Sequence, residues 1–212
     1  VSQGGNGVKK GLTRERILDA ALGYVDGHGL AALSMRKLGA ELGVEAMTIY
    51  HYFPNKEALL DGLVDRTLEL AFTGPPPAED DSWVPWLRRF THGFRSVLLA
   101  HPGILPLAAT RPLNSPDGLR VLDGWLGGLR AAGLPLGRAM DMLNVLATLT
   151  IGLTLAEVGR TPGHEGSEPD LDGRDLGAFP NLAEVLTTGV GLDFDHRFAE
   201  AVDILLAGYA GL

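Results

Sequence analysis

The 212-residue sequence contains no cysteine, so neither a disulfide framework nor a thiolate zinc site can hold its fold. It also lacks the common signatures of catalysis. The six histidines, at 28, 51, 92, 101, 164 and 196, include no i,i+4 pair and no His-Glu-x-x-His, which removes the helix-borne zinc site. No phosphate-binding Gly-x-x-x-x-Gly-Lys, no Gly-x-Ser-x-Gly elbow and no dinucleotide fingerprint is present. Gly124-Trp125-Leu126-Gly127-Gly128 holds a Gly-x-x-x-Gly, which in a water-soluble helix reads as close packing. No enzyme, cofactor or metal reading arises.

Long hydrophobic runs are scarce too. Residues 1–7 are polar and Gly-rich with no apolar stretch, and residues 1–11 read as a flexible arm rather than a signal peptide. The longest uncharged run, 142–156, is 15 residues and carries Asn144 and three threonines, short of the ~20 residues of a spanning helix. It predicts a buried helix and no membrane partner. No strand alternation appears, so the chain is expected to be all-α and cytoplasmic.

Net charge is −8, but unevenly placed. Residues 1–60 carry seven Lys/Arg against six Asp/Glu, and the remainder carries 11 against 20. An acidic distal part would repel nucleic acid and favour approach through the N-terminal end.

That end holds the most informative segment. Ser34 is placed to cap a helix over 35–42, Leu33 and Leu38 sit where a hydrophobic staple closes, and Gly43 supplies the left-handed residue that ends it. A second short helix follows. At about 100° per residue, its Ile49 and Phe53 face one way, Met47 and His51 the other, with Thr48 and Tyr50 flanking. This is the pattern of a helix-turn-helix whose second helix enters a major groove. By pattern alone an ordinary helix hairpin fits nearly as well. Pro54-Asn55 adds weight by ending the helix and capping a third, with Lys56 at its positive start, where backbone amides favour a phosphate.

From Leu12 to about Phe72 the chain resembles the TetR family of bacterial repressors. The run Leu42-Gly43-Val44…Thr48-Ile49-Tyr50…Phe53-Pro54-Asn55-Lys56-Glu57-Ala58-Leu59-Leu60 carries the likeness. The resemblance implies that Arg36 and Lys37 approach DNA with the Ser34 end of the first helix. It further implies that Ala46, Met47, Thr48 and His51 face bases, and that Tyr50, Tyr52 and Lys56 hold phosphates. Ala46 and Met47 are poor hydrogen-bonders, so base selection would lean on thymine methyl groups.

The other helices are read from Pro and Gly punctuation. One spans 13–26, capped by Thr13, with Leu12 and Ile17 as staple and Ile17, Ala21, Tyr24 and Val25 inward. Another spans 55–72, a stiff polar linker 73–82, and further helices 83–100, 103–110, 116–132 and 136–158. Residues 160–180 read as a mobile loop. Asn181 and Glu184 suit a capping box, and 195–209 closes the chain with Phe198, Val202, Leu205, Leu206 and Tyr209 on one stripe. The domains expected are an N-terminal three-helix helix-turn-helix DNA-binding domain over 12–58 and a C-terminal helical ligand-binding and dimerisation domain over 59–212.

The second domain resembles the tetracycline-repressor branch of the family through Leu98-Leu99-Ala100-His101, Ala109-Thr110-Arg111-Pro112, Thr150-Ile151-Gly152 and Phe194-Asp195…Leu205-Leu206-Ala207-Gly208-Tyr209. At the drug site the match fails. A magnesium-binding His becomes Leu107, a polar residue becomes Phe90, and a magnesium-linked Glu becomes Ala156; Phe94 and Thr110 persist. The resemblance thus implies the same scaffold without a metal–tetracycline ligand. The candidate pocket comprises Phe72, Trp86, Phe90, Phe94, Leu107, Thr110, Asp123 and Asn144, suited to a largely apolar ligand with one or two polar handles. Taken singly, Trp86, Phe90 and Phe94 are as readable as core, Asp123 as a solvated charge, and Glu157 as facing water. Phe198, Val202, Leu205 and Leu206, with the surplus apolar surface of the 136–158 helix, are the expected homodimer interface, a four-helix arrangement that the resemblance implies. The partners expected are a palindromic double-stranded DNA operator, a small-molecule inducer and a second copy of the chain. A ligand-binding or scaffold protein with a degenerate head is the alternative.

Overall fold

A computed structural model describes residues 11–72, 74–159, 175–189 and 191–211. Among these there are ten α-helices and no strand. The head holds α1 (Arg14–His28), α2 (Met35–Leu42) and α3 (Ala46–Tyr50). The long α4 (Lys56–Ala71) leads out of it. Then follow α5 (Trp83–Ala100), α6 (Leu105–Thr110), α7 (Pro116–Ala131), α8 (Leu136–Val158), α9 (Pro180–Thr188) and α10 (Phe194–Ala210).

Side-chain caps fix half of the ten α-helix starts. Thr13 accepts from the Arg16 amide, Ser34 from Lys37, Asn55 from Ala58 and Ser115 from Gly118, each satisfying an orphan donor of a first turn. Gly43 sits at φ 66°, a left-handed conformation that a Cβ would penalise, and turns the chain from α2 to α3.

Two hydrophobic clusters meet along α4. One joins Ile17, Leu38, Ile49, Phe53 and Leu59 of the head to Leu98, Ile104, Leu105 and Leu107 of α5, the turn after it and α6. The other gathers Trp86, Phe90, Trp125, Met142, Leu146, Phe198, Val202 and Leu206. Because α4 crosses α5 closely, head and second domain share a core rather than a mere tether. A Cβ on Gly93 would lie 2.0 Å from the Ala71 carbonyl oxygen, so α5 needs glycine at the crossing. His101 Nδ1 also meets Asp26 Oδ2 at 2.6 Å, tying the end of α5 to α1.

Four expectations are corrected. The helix at 180 starts at Pro180 behind Phe179, with no capping bond from Asn181, since Pro at the first position presets the helical φ and needs no amide partner. The loop expected over 160–180 lies outside the described residues from 160 to 174, but Leu176–Ala178 forms a 3-10 turn. The apolar α8 is not wholly buried: Met142, Leu143 and Leu146 face inward while Val145 and Leu155 stay exposed. Finally, Phe198, Val202 and Leu206 are at most 1% exposed and pack into their own chain's core. A residue filled by intrachain neighbours has no surface to offer a second copy, so of the four expected at a dimer face only the half-buried Leu205 keeps surface for one. The exposed apolar residue of α10 is Ile204, at 65%.

Candidate DNA-binding and ligand sites

The head assembles as a reading surface. Ile49 and Phe53 are fully buried against α1 and α2, which fixes the rotation of α3 about its axis. That rotation leaves Met47 64% and Tyr50 41% exposed, with His51 exposed beside them and Ala46 and Thr48 half-buried. Arg36 and Lys37 are exposed in the first turn of α2, behind the half-buried Ser34. Lys56 is exposed as the first residue of α4, beneath the Asn55 cap. Tyr52 departs from the expected phosphate-holding role. Its hydroxyl donates to the Leu12 carbonyl at 2.7 Å, so its single proton already has an intrachain acceptor. Arg14 closes the same joint, donating to the Tyr52 carbonyl at 3.1 Å with its guanidinium 4.2 Å from the Phe53 ring centre.

In the second domain a cavity of about 400 Å³ opens between α4, α6, α8 and the α6–α7 loop. Of the expected pocket residues, Phe94, Thr110 and Asn144 line it. Trp86, Phe90 and Leu107 do not: they are at most 4% exposed and belong to the hydrophobic clusters. Trp86 and Phe90 stack at 6.1 Å and meet the Trp125 ring edge-on at 5.9 and 5.1 Å. Such pairs are a packing motif of aromatic cores. The Trp86 indole N–H donates to the Pro75 carbonyl at 2.9 Å, which pins the proline linker to α5. Phe72 lines a second, smaller cavity of about 320 Å³ with Trp125 and Arg120. Asp123 is exposed on α7 and lines neither. Glu157, expected in water, instead accepts from Arg95 at 2.7 Å.

The sequence did not single out most of the cavity's walls. Val64, Thr67 and Leu68 of α4 face the expected Asn144 and, beside it, Ala147, Thr148 and Ile151 of α8. Their i,i+3,i+4 and i,i+3,i+4,i+7 spacings were the available signal, hidden because small and β-branched residues carry no ligand chemistry by themselves. Two charged groups were also missed. Arg111 lines the cavity and reaches Glu57 and Asp61 of α4; these carboxylates, Glu57 first, hold the guanidinium protonated beyond its usual range. Asp65 of α4 is 7% exposed, accepts from the Ser115 hydroxyl at 2.5 Å, and keeps Oδ1 without a partner. Burial pushes its pKa up against the opposing effect of that hydrogen bond.

An exposed helix-turn-helix face joined by one continuous helix to a cavity-bearing helical domain defines a ligand-responsive DNA-binding repressor. Family comparison agrees. Residues 17–63 match the profile of bacterial regulatory proteins of the tetR family, and 75–211 that of the tetracyclin repressor-like C-terminal domain. The chain belongs to the TetR family. It is 33% identical to the tetracycline repressor protein class C of Escherichia coli over 77% of this chain and 71% of that one. To the HTH-type transcriptional repressor DrrR1 of Streptomyces coeruleorubidus it is 28% identical, covering 97% and 82%. Among solved structures, the Streptomyces coelicolor TetR family protein ActR in complex with actinorhodin superposes with a TM-score of 0.71 at 30% identity, covering 95% of this chain and 98% of that one.

Proposed function

We propose that the protein represses transcription as a homodimer on a palindromic operator and is released by a small, largely apolar organic ligand held between α4 and α8. One observation carries this reading: α4 has Lys56 on the DNA-facing side at one end and Val64, Thr67 and Leu68 on the cavity wall further along. A ligand that displaces the wall moves the helix that sets the head. It shifts the balance only by its differential affinity for the two states, and a coupling of about 1–3 kcal/mol weakens operator binding about 5- to 150-fold. The relatives named for tetracycline and the structure holding actinorhodin support an organic effector. Leu107, core-buried where the tetracycline branch has a metal-binding His, supports a ligand other than a metal chelate.

The dimer face assigned here is the exposed apolar side of α8 and α10, with Val145, Leu155 and Ile204 at its centre. Two heads would then read half-sites about one helical turn, ~34 Å, apart or a small multiple of it. The protein acts as a cytoplasmic regulator and not as an enzyme. Enrichment of random-sequence DNA tests the first half: a palindrome should emerge, and enrichment of nothing would leave a scaffold with a degenerate head. A thermal-shift screen of small organic molecules tests the second, since a ligand of the folded state raises Tm by mass action. Phe94→Ala should blunt the operator response to any such hit while ligand-free operator affinity holds.

A further inference from the structure

Among the described residues lining the 400 Å³ cavity, Arg111 alone is charged. Its side chain leaves the α6–α7 loop for the first two turns of α4, where Nη2 donates to Glu57 and Nη1 donates to Asp61 at 2.5 Å. Both acceptors follow Lys56 on the stretch of α4 that meets the head. They are unequal partners. The Glu57 side chain is 69% exposed and that of Asp61 24%. Released from Arg111, Glu57 regains water at little cost, whereas Asp61 would be left a half-buried, unpaired charge. The planar guanidinium takes a carboxylate through two parallel N–H bonds, so a second anion can occupy the edge that Glu57 vacates.

We propose that Arg111 is both an anion receptor for the effector and the latch between the cavity and α4. Resting on the reading of this cavity as the effector site, the inference names the ligand class: a flat apolar body bearing a carboxylate. The body lies against Leu68, Phe94 and Ile151. The carboxylate draws the guanidinium from Glu57, and the first turn of α4 loses its brace to the α6–α7 loop.

The test uses the full chain with 9-anthracenecarboxylate and 9-anthracenecarboxamide, probes of equal size that differ in charge, titrated by calorimetry. The wild type should bind the carboxylate about 10-fold or more tighter than the amide. Arg111→Gln should erase that preference with amide affinity unchanged, and Arg111→Lys should keep part of it, which a folding defect would not. Equal affinities in the wild type, no binding of the carboxylate, or a preference that survives in Arg111→Gln each overturns the receptor. The latch is read on the enriched operator with Arg111→Gln, Asp61→Asn and the double variant. Loss of a negative charge near DNA should strengthen binding, so an Asp61→Asn weakening of about 5-fold, not deepened in the double variant, marks the latch. Additive effects overturn it. Carboxylate preference without operator release would sink the inducible-repressor reading and leave the receptor standing. Operator release by the amide as strong as by the carboxylate would do the reverse.

Discussion

Single residues divide cleanly between holding the head together and facing outward for the proposed DNA contacts. Lys56 is exposed at the start of α4, so Lys56→Ala should weaken binding to every sequence and reduce the salt slope by about 0.9, as read from affinities over a salt series. Tyr52→Phe should behave differently, costing about 1 kcal/mol of stability in urea unfolding, because what it loses is the bond to Leu12. Asp65 has a pH signature. Its raised pKa means the folded state binds the proton more tightly than the unfolded one. Its destabilising effect is therefore absent below the ordinary carboxylate pKa of 3.8 and grows as pH rises through the folded value. Asp65→Asn, which keeps an acceptor for Ser115, should melt higher than wild type at pH 7, with the gap closing toward pH 3.8. A constant gap across that range would refute the assignment.

At the scale of elements, the crossing of α4 and α5 is the joint on which the proposed coupling depends. Gly93→Ala adds helix propensity of at most ~1 kcal/mol. It also drives a Cβ into the Ala71 carbonyl, a backbone atom that cannot rotate aside. The clash wins: the variant should lose roughly 1–3 kcal/mol in denaturant unfolding. The spacing of apolar residues made the helices themselves legible, because a 3.6-residue period and a capping side chain are local facts. Residues 136–158 show the limit. Their apolar side chains surround the whole helix, so periodicity could not divide the side packed on α5, α7 and α10 from the side left exposed.

For the whole molecule, the exposed apolar surface of α8 and α10 gives a sharp contrast between neighbours in sequence. Ile204→Asp should leave the helical circular dichroism intact and convert a dimer to a monomer in light scattering. Leu206→Asp, two residues on, should instead cost the fold, since it buries an unpaired carboxylate at a site 1% exposed. Equal behaviour of the two variants would remove the assigned dimer face. The acidic bulk of the chain lies beyond residue 60, away from the DNA-facing head, which favours approach through the head.

The sequence by itself determined the helices, the caps at Thr13, Ser34 and Asn55, the turn at Gly43 and the outward Met47 and His51, because each follows from neighbours within a few positions. It also determined the family, through the run from Leu42 to Leu60. Only the tertiary structure decided which apolar side chains are core, which line a cavity and which stay exposed. Trp86, Phe90 and Phe94 repeat on one stripe of α5, yet two seal a core and the third borders a cavity, because α7 covers one end of the stripe and the α4–α8 gap opens at the other. Phe198 and Ile204 share α10 and differ from 1% to 65% exposure by which of them α5 and α8 happen to cover. Arg111 finds Glu57 and Asp61 across some fifty residues of chain. No local pattern encodes such a pairing, since it exists only once α4 and the α6–α7 loop have been packed side by side.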